Sequence, residues 1–135
     1  MSKLKQTIAF IENEWLPALR SGDYAQGYES LSDHSDETER YCCLGVACDL
    51  ADDSLWHSDS GVEYGWGRHD LMDDEEGGST DVSELLYISQ FPLSVLTRQQ
   101  IADIAIMNDT RDHDFIDMAK HIEEDILPGL KEKLL

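Results

Sequence analysis

From Ser2 to about Leu19 the apolar residues Leu4, Ile8, Ile11, Trp15 and Leu19 fall at spacings of four, three, four and four, which is one stripe of an α-helix. Ser2 is placed to cap that helix and Gly22 to stop it. Pro17 interrupts the stripe. It has no N–H for the carbonyl four residues back, so the pattern predicts either a kink there or an end near Trp15 with a further turn beginning after it. Asp23 to Leu31, with Gly27 between Tyr24 and Tyr28, reads as a loop or short extended piece, and His34 to Glu39 as an exposed acidic stretch.

The run Arg40-Tyr41-Cys42-Cys43-Leu44-Gly45-Val46-Ala47-Cys48-Asp49-Leu50-Ala51 is almost free of charge and is rich in residues that cores bury. Tyr41, Cys42 and Val46 suit a strand, while Cys43, Ala47 and Leu50 share a helix face; Gly45 weakens both. The spacing favours a helix from about Cys42 to Ala51, at the centre of the core.

Beyond it, Asp52-Asp53-Ser54 ends the helix, and Val62-Glu63-Tyr64-Gly65-Trp66 has the alternation of a short strand, paired with residues near Tyr28. Asp73 to Thr80, closing on Gly77-Gly78-Ser79-Thr80, has the composition of a mobile loop. Val82 to Phe91 reads as a short helix closed by Pro92. Thr97-Arg98-Gln99-Gln100 is a capping box for a helix that buries Ile101, Ile104 and Ala105 and ends around Asn108. Asp112 or Asp114 caps the last helix, whose stripe is Phe115, Ala119, Ile122 and Ile126, until Leu127-Pro128-Gly129 breaks it. These last two helices form a hairpin.

The whole pattern predicts a mainly α (α+β) protein. It is a single compact helical domain over residues 1–135, with a small antiparallel β ribbon and an acidic irregular middle segment. One echo runs through it. Ile11-Glu12-Asn13-Glu14-Trp15-Leu16-Pro17-Ala18-Leu19-Arg20 and Ile122-Glu123-Glu124-Asp125-Ile126-Leu127-Pro128-Gly129-Leu130-Lys131 share the frame Ile-Glu-x-acid-x-Leu-Pro-x-Leu-base. Two copies so far apart read as similar helix-end chemistry rather than as a repeat fold.

Charge changes the picture most. The formal net charge is −19, and between Asp49 and Glu84 twelve acids face a single base, Arg68. A chain this negative is repelled by nucleic acid and by anionic lipid, so basic protein surfaces or cations are its natural partners. No apolar run reaches the length of a membrane span, and the amino terminus has no secretory pattern. With three cysteines, an odd number, the reading is reduced thiols in a cytoplasm.

Candidate chemistry is sparse. Cys42, Cys43 and Cys48 with His57 or His69 lack the paired spacing of a structural zinc site, and the acids near Asp49 would raise rather than lower a thiol pKa. His34, His57, His69, His113 and His121 lie in acidic surroundings that favour a solvated, protonated ring. His113 with Asp109, Asp112 and Asp114 does not match a calcium loop, so no metal is expected. Trp56, Tyr64 and Trp66 with Arg68 could floor a small-ligand pocket, and core filling or loop pinning explains them as well. No phosphate loop, dinucleotide fingerprint or nucleophile elbow occurs, so neither an enzyme nor a cofactor is expected.

Trp15, Ala18-Leu19-Arg20-Ser21-Gly22, Tyr24, Gln26-Gly27, Leu31, the segment Tyr41 to Leu50, and Met107-Asn108-Asp109 with Phe115, Ala119 and Ile122-Glu123 together resemble a family of small hypothetical proteins carried by bacteriophages and prophages. The likeness covers both ends and the Cys-rich segment, not the middle. It implies an origin and a compartment, the host cytoplasm, rather than a mechanism, and no catalytic residue carries over.

The functional expectation therefore rests on the acids. Asp52, Asp53, Asp59, Glu63, Asp70, Asp73, Asp74, Glu75, Glu76, Asp81 and Glu84 would imitate the spaced phosphates of nucleic acid and occupy a basic surface of a host nucleic-acid-binding or defence protein. The bland reading is a solvated face that keeps the protein in solution. The other functional reading is a protein that binds or sequesters a nucleotide-like signal through Trp56, Tyr64, Trp66 and Arg68. A binder of anions must place bases such as Arg68 or Arg111 in its pocket, whereas a mimic must not.

Overall fold

The computed structural model describes residues 2–27, 32–33, 40–51, 85–86, 91–110 and 113–135. These form a mainly helical protein with a small sheet, in the order α1 (Lys3–Phe10), the π-helical turn π1 (Ile11–Trp15), α2 (Leu16–Ser21), β1 (Ala25–Gln26), β2 (Ser32–Asp33), β3 (Arg40–Tyr41), α3 (Cys43–Ala51), α4 (Arg98–Asp109), α5 (Phe115–His121), π2 (Ile122–Ile126) and α6 (Leu127–Glu132).

The amino-terminal helix begins where its polar flank can satisfy it: the Ser2 hydroxyl accepts from the Lys5 N–H at 3.2 Å. It does not stop at Pro17. The chain passes through π1, where the Leu16 N–H bonds to the Ile11 carbonyl, one residue further back than in an α-turn. The cause is steric. A proline ring collides with the carbonyl four residues before it, here that of Asn13, and opening the turn relieves the collision on a face where Asn13 and Pro17 are exposed. The helix then ends at Gly22, whose φ of 82° is the left-handed geometry that glycine adopts without strain.

The same event recurs at the other end. Leu127 N–H bonds to Ile122 O across π2, and α6 runs on through Pro128 and Gly129 to Glu132. The expected break at Leu127-Pro128-Gly129 is therefore corrected: proline is tolerated in the first turn of a helical segment, and the widened turn before it makes the room.

Local signals placed the remaining starts. Thr97 and Gln100 form the capping box of α4, with Gln100 N–H to Thr97 Oγ1 at 3.0 Å and Thr97 N–H to Gln100 Oε1 at 2.9 Å. Asp114, rather than Asp112, caps α5 in a second box with Asp117. Helix α4 ends one residue beyond Asn108, with Thr110 as its cap in extended geometry. Asn108 is thus a buried residue of the last turn and not a left-handed stop.

The sheet has the order β1-β3-β2, with β3 antiparallel to β2 and parallel to β1. Its antiparallel pair joins residues 32–33 to residues 40–41; the expected Val62–Trp66 strand falls outside the described residues, as do the loop at Asp73–Thr80 and the acidic stretch His34–Glu39. Gly27 continues β1, its N–H bonded to Tyr41 O at 2.7 Å; a Cβ there would lie 3.0 Å from that of Arg40.

One core joins these pieces. It buries the stripe Ile8, Ile11, Trp15 and Leu19, the whole of Cys42 to Cys48, the α4 face Ile101, Ile104 and Ala105, and the stripe Phe115, Ala119, Ile122 and Ile126. Of the expected helix at Val82–Phe91 only Leu85, Leu86 and Phe91 are described, and Leu85 and Phe91 are buried in this core. Helix α4 touches α5, as a hairpin requires, but the carboxy-terminal helix also pairs with the amino-terminal one, α2 on α5 and α1 on α6. Among the described residues no helix is long and apolar enough to cross a membrane.

Candidate functional site

Helix α3 is the element that the other parts converge on, and it starts inside the core. A buried helix start cannot give its first N–H groups to water, so protein atoms must accept them. Two do. The Cys42 sulfur accepts from the Gly45 N–H at 3.3 Å, and Oδ1 of Asn108, from α4, accepts from the Cys43 N–H at 3.1 Å.

Asn108 is fully buried and uses its whole hydrogen-bonding capacity. Its oxygen takes a second bond from Gln26 Nε2 at 3.1 Å, and its Nδ2 donates to Gly27 O at 3.0 Å and to Asp109 Oδ1 at 3.3 Å. The partners fix which way the amide points, since Cys43 N–H can only donate and Gly27 C=O can only accept. Gln26 also reaches His113 O at 3.0 Å, so one amide pair ties β1, α3, α4 and the approach to α5. On the opposite side the Trp15 indole N–H donates to Cys43 O at 3.0 Å, and Thr7 Oγ1 donates to Pro92 O at 2.9 Å.

Some of the residues that carry the sequence resemblance, Trp15, Gln26-Gly27, Tyr41 to Cys43 and Asn108-Asp109, are members of this network. The Asn108 amide has no capacity left over for a ligand. Sequence reasoning missed Asn108 and Thr7 as buried polar groups and the half-buried Gln26 as their partner in the network.

The cysteines are free and buried, and they are held as thiols. Burial pushes Cys42 up to about 12, against the lowering effect of the N–H groups of Gly45 and Leu44, with the Asp109 charge adding to the rise. Burial likewise holds Cys43 and Cys48 well above the ordinary value, and Asp49 contributes at Cys48. Desolvation thus outweighs the acids as the reason these thiols are poor nucleophiles. Among the described residues no three His, Cys, Asp or Glu side chains lie close enough to hold a metal ion; His57 and His69 fall outside them. His113 is half-buried beside the network, and His121 pairs with Asp125 at 2.8 Å.

At the far end of α3, Tyr24 packs edge-on against Tyr41 with ring centroids 5.3 Å apart, and its hydroxyl donates to Asp49 Oδ2 at 2.7 Å. Burial first, then the Asp49 hydrogen bond, hold this phenol well above its usual range. Two residues on, α3 ends at Ala51 and the acidic segment begins. That segment returns to the described structure at Leu85, which is fully buried.

All the proposed partner-binding acids, Asp52, Asp53, Asp59, Glu63, Asp70, Asp73, Asp74, Glu75, Glu76, Asp81 and Glu84, lie outside the described residues, as do Trp56, Tyr64, Trp66, Arg68 and Arg111. Their charge can still be set against that of the folded body. The described residues hold thirteen acids and eight bases, a net of −5, and the other −14 belongs to the remainder, −10 of it to residues 52–84 alone. On the body the acids meet bases: Arg20 pairs with Glu123 at 3.2 Å and Lys131 with Glu12 at 2.9 Å.

No curated protein and no solved structure matches this chain. A family model does match, over residues 5–126, and that span runs from within α1 to the end of π2 and takes in the Cys-rich helix and the Asn108 network: the chain belongs to the family described as a domain of unknown function, DUF8296.

Proposed function

We propose that this is an acidic binding protein of bacteriophage type, acting in the host cytoplasm without catalysis, which presents residues 52–84 to a basic surface of a host nucleic-acid-binding or defence protein. One observation carries the reading: the negative charge is segregated. A protein that used acids only to stay in solution would spread them over its surface, whereas here the 33 residues 52–84, between the exposed Ala51 at the end of α3 and the buried Leu85, carry −10 and the other 102 residues carry −9. Rows of carboxylates exchange with phosphates for the same lysines and arginines, so binding would be fast, steered at long range and weakened by salt.

The test is capture of host proteins on the immobilised chain at about 50 and about 200 mM salt, with duplex DNA as competitor. The reading expects a nucleic-acid-binding protein that is held at low salt, shed at high salt, displaced by DNA, and lost when Asp73, Asp74, Glu75 and Glu76 become Asn and Gln. Capture that ignores those four substitutions overturns it. A co-purifying small molecule released by Arg68→Ala would put the nucleotide-sequestering reading in its place.

A further inference from the structure

The two copies of the frame Ile-Glu-x-acid-x-Leu-Pro-x-Leu-base occupy equivalent places. Ile11 corresponds to Ile122, Leu16 to Leu127 and Ser21 to Glu132, at one constant offset of 111 residues, and the same offset carries π1 onto π2 and α2 onto α6 without a shift. Burial follows it too: Ile11, Trp15, Leu16 and Leu19 are buried as Ile122, Ile126, Leu127 and Leu130 are, and residues 12–14 are exposed as residues 123–125 are.

The copies face each other. α2 packs on α5 and α1 on α6, so the two helices run antiparallel, and the base that ends each frame meets the glutamate that opens the other: Arg20 with Glu123, Lys131 with Glu12. Residue i of the first unit contacts residue j of the second, and j of the first contacts i of the second. That reciprocity is the mark of an isologous interface, found here within one chain.

We propose that residues 11–20 and 122–131 are one self-complementary helical unit used twice, each the docking partner of the other, with the two glutamate–base pairs setting the antiparallel register in which the chain ends close. The apolar stripes supply the attraction, and the same stripes could meet one helical turn out of step; the charges disfavour that. Glu12 and Arg20 are eight positions apart and do not pair with each other, so both signs in one unit can be reversed at constant net charge.

The test is a charge-reversal cycle on the full chain. Glu12→Arg with Arg20→Glu puts like charges at both contacts, as does Glu123→Arg with Lys131→Glu, and each reversal is expected to lower the thermal midpoint by about 3 to 8 °C at low salt. The four substitutions together restore both attractions and return the midpoint to within about 2 °C of the parent. At about 1 M salt the differences between the four proteins shrink. Single reversals without effect, or a combined chain that loses the sum of the two, overturn the proposal. If a reversed chain does not fold, the cycle on Glu12→Gln and Lys131→Gln reads the same coupling, and a coupling of zero overturns it.

Discussion

Asn108 is the residue on which most elements depend at once. Alanine there strands the Cys43 N–H and the Gly27 carbonyl in the core, and at about 1 to 3 kcal/mol for each stranded group the loss comes to about 2 to 6 kcal/mol in urea unfolding. Asn108→Asp keeps an acceptor for Cys43 but removes the donor to Gly27 and sets a carboxylate beside Asp109. Its stability should improve as pH falls, because the protonated acid regains a donor and sheds its charge; the parent sets the baseline. The thiols give the same sign in a more alkaline window. Cys42 is raised from 9.0 to about 12, so the folded chain holds its proton where the unfolded chain has released it. The stabilisation is complete below about pH 9 and is lost as pH climbs toward about 12, at up to about 1.4 kcal/mol per pH unit for each thiol. Urea midpoints measured from neutral to alkaline pH should fall across that window. At neutral pH a thiol reagent should label none of the three cysteines until the chain unfolds, and prompt labelling of the native protein would contradict the buried placement.

Between the two proline-bearing helices, glycine separates a required turn from an incidental one. Gly22 sits at φ 82°, so Gly22→Ala should cost about 1 kcal/mol. Gly129 lies inside α6 with nothing within 4 Å of where a Cβ would stand, so Gly129→Ala should gain about 0.5 to 1 kcal/mol. Thermal melts of the two variants should move in opposite directions. The stripes of these helices were legible in the sequence because a period near 3.6 is set by the residues themselves, and so were both capping boxes, whose partners lie three residues apart. The π-turns were not. Proline signals only that a donor is missing, and whether a helix stops or widens there depends on the packing on both sides. Two-residue strands carry no alternation to read, which is why β2 and β3 were not legible in the sequence. Asn108 was illegible for the plainest reason: its partners Cys43 and Gly27 lie 65 and 81 residues away, and nothing local marks a polar helix residue as buried.

At the scale of the whole molecule, the segregation of charge separates stability from binding. The 33 residues 52–84 carry −10 while the other 102 carry −9, so removing acids from that segment relieves self-repulsion where the charge is densest. Replacing Asp73, Asp74, Glu75 and Glu76 by Asn and Gln takes the formal charge from −19 to −15. The thermal midpoint should hold or rise slightly at low salt, since like charges have been thinned. Binding to a basic partner should fall, and the dependence of log affinity on log salt should become shallower, because fewer carboxylates compete with salt ions for its lysines and arginines. Titrations of parent and variant at several salt concentrations measure that slope directly. Equal slopes would mean that these carboxylates are solvated surface, and a collapse of the midpoint would mean that they hold the fold together; either result removes the mimic.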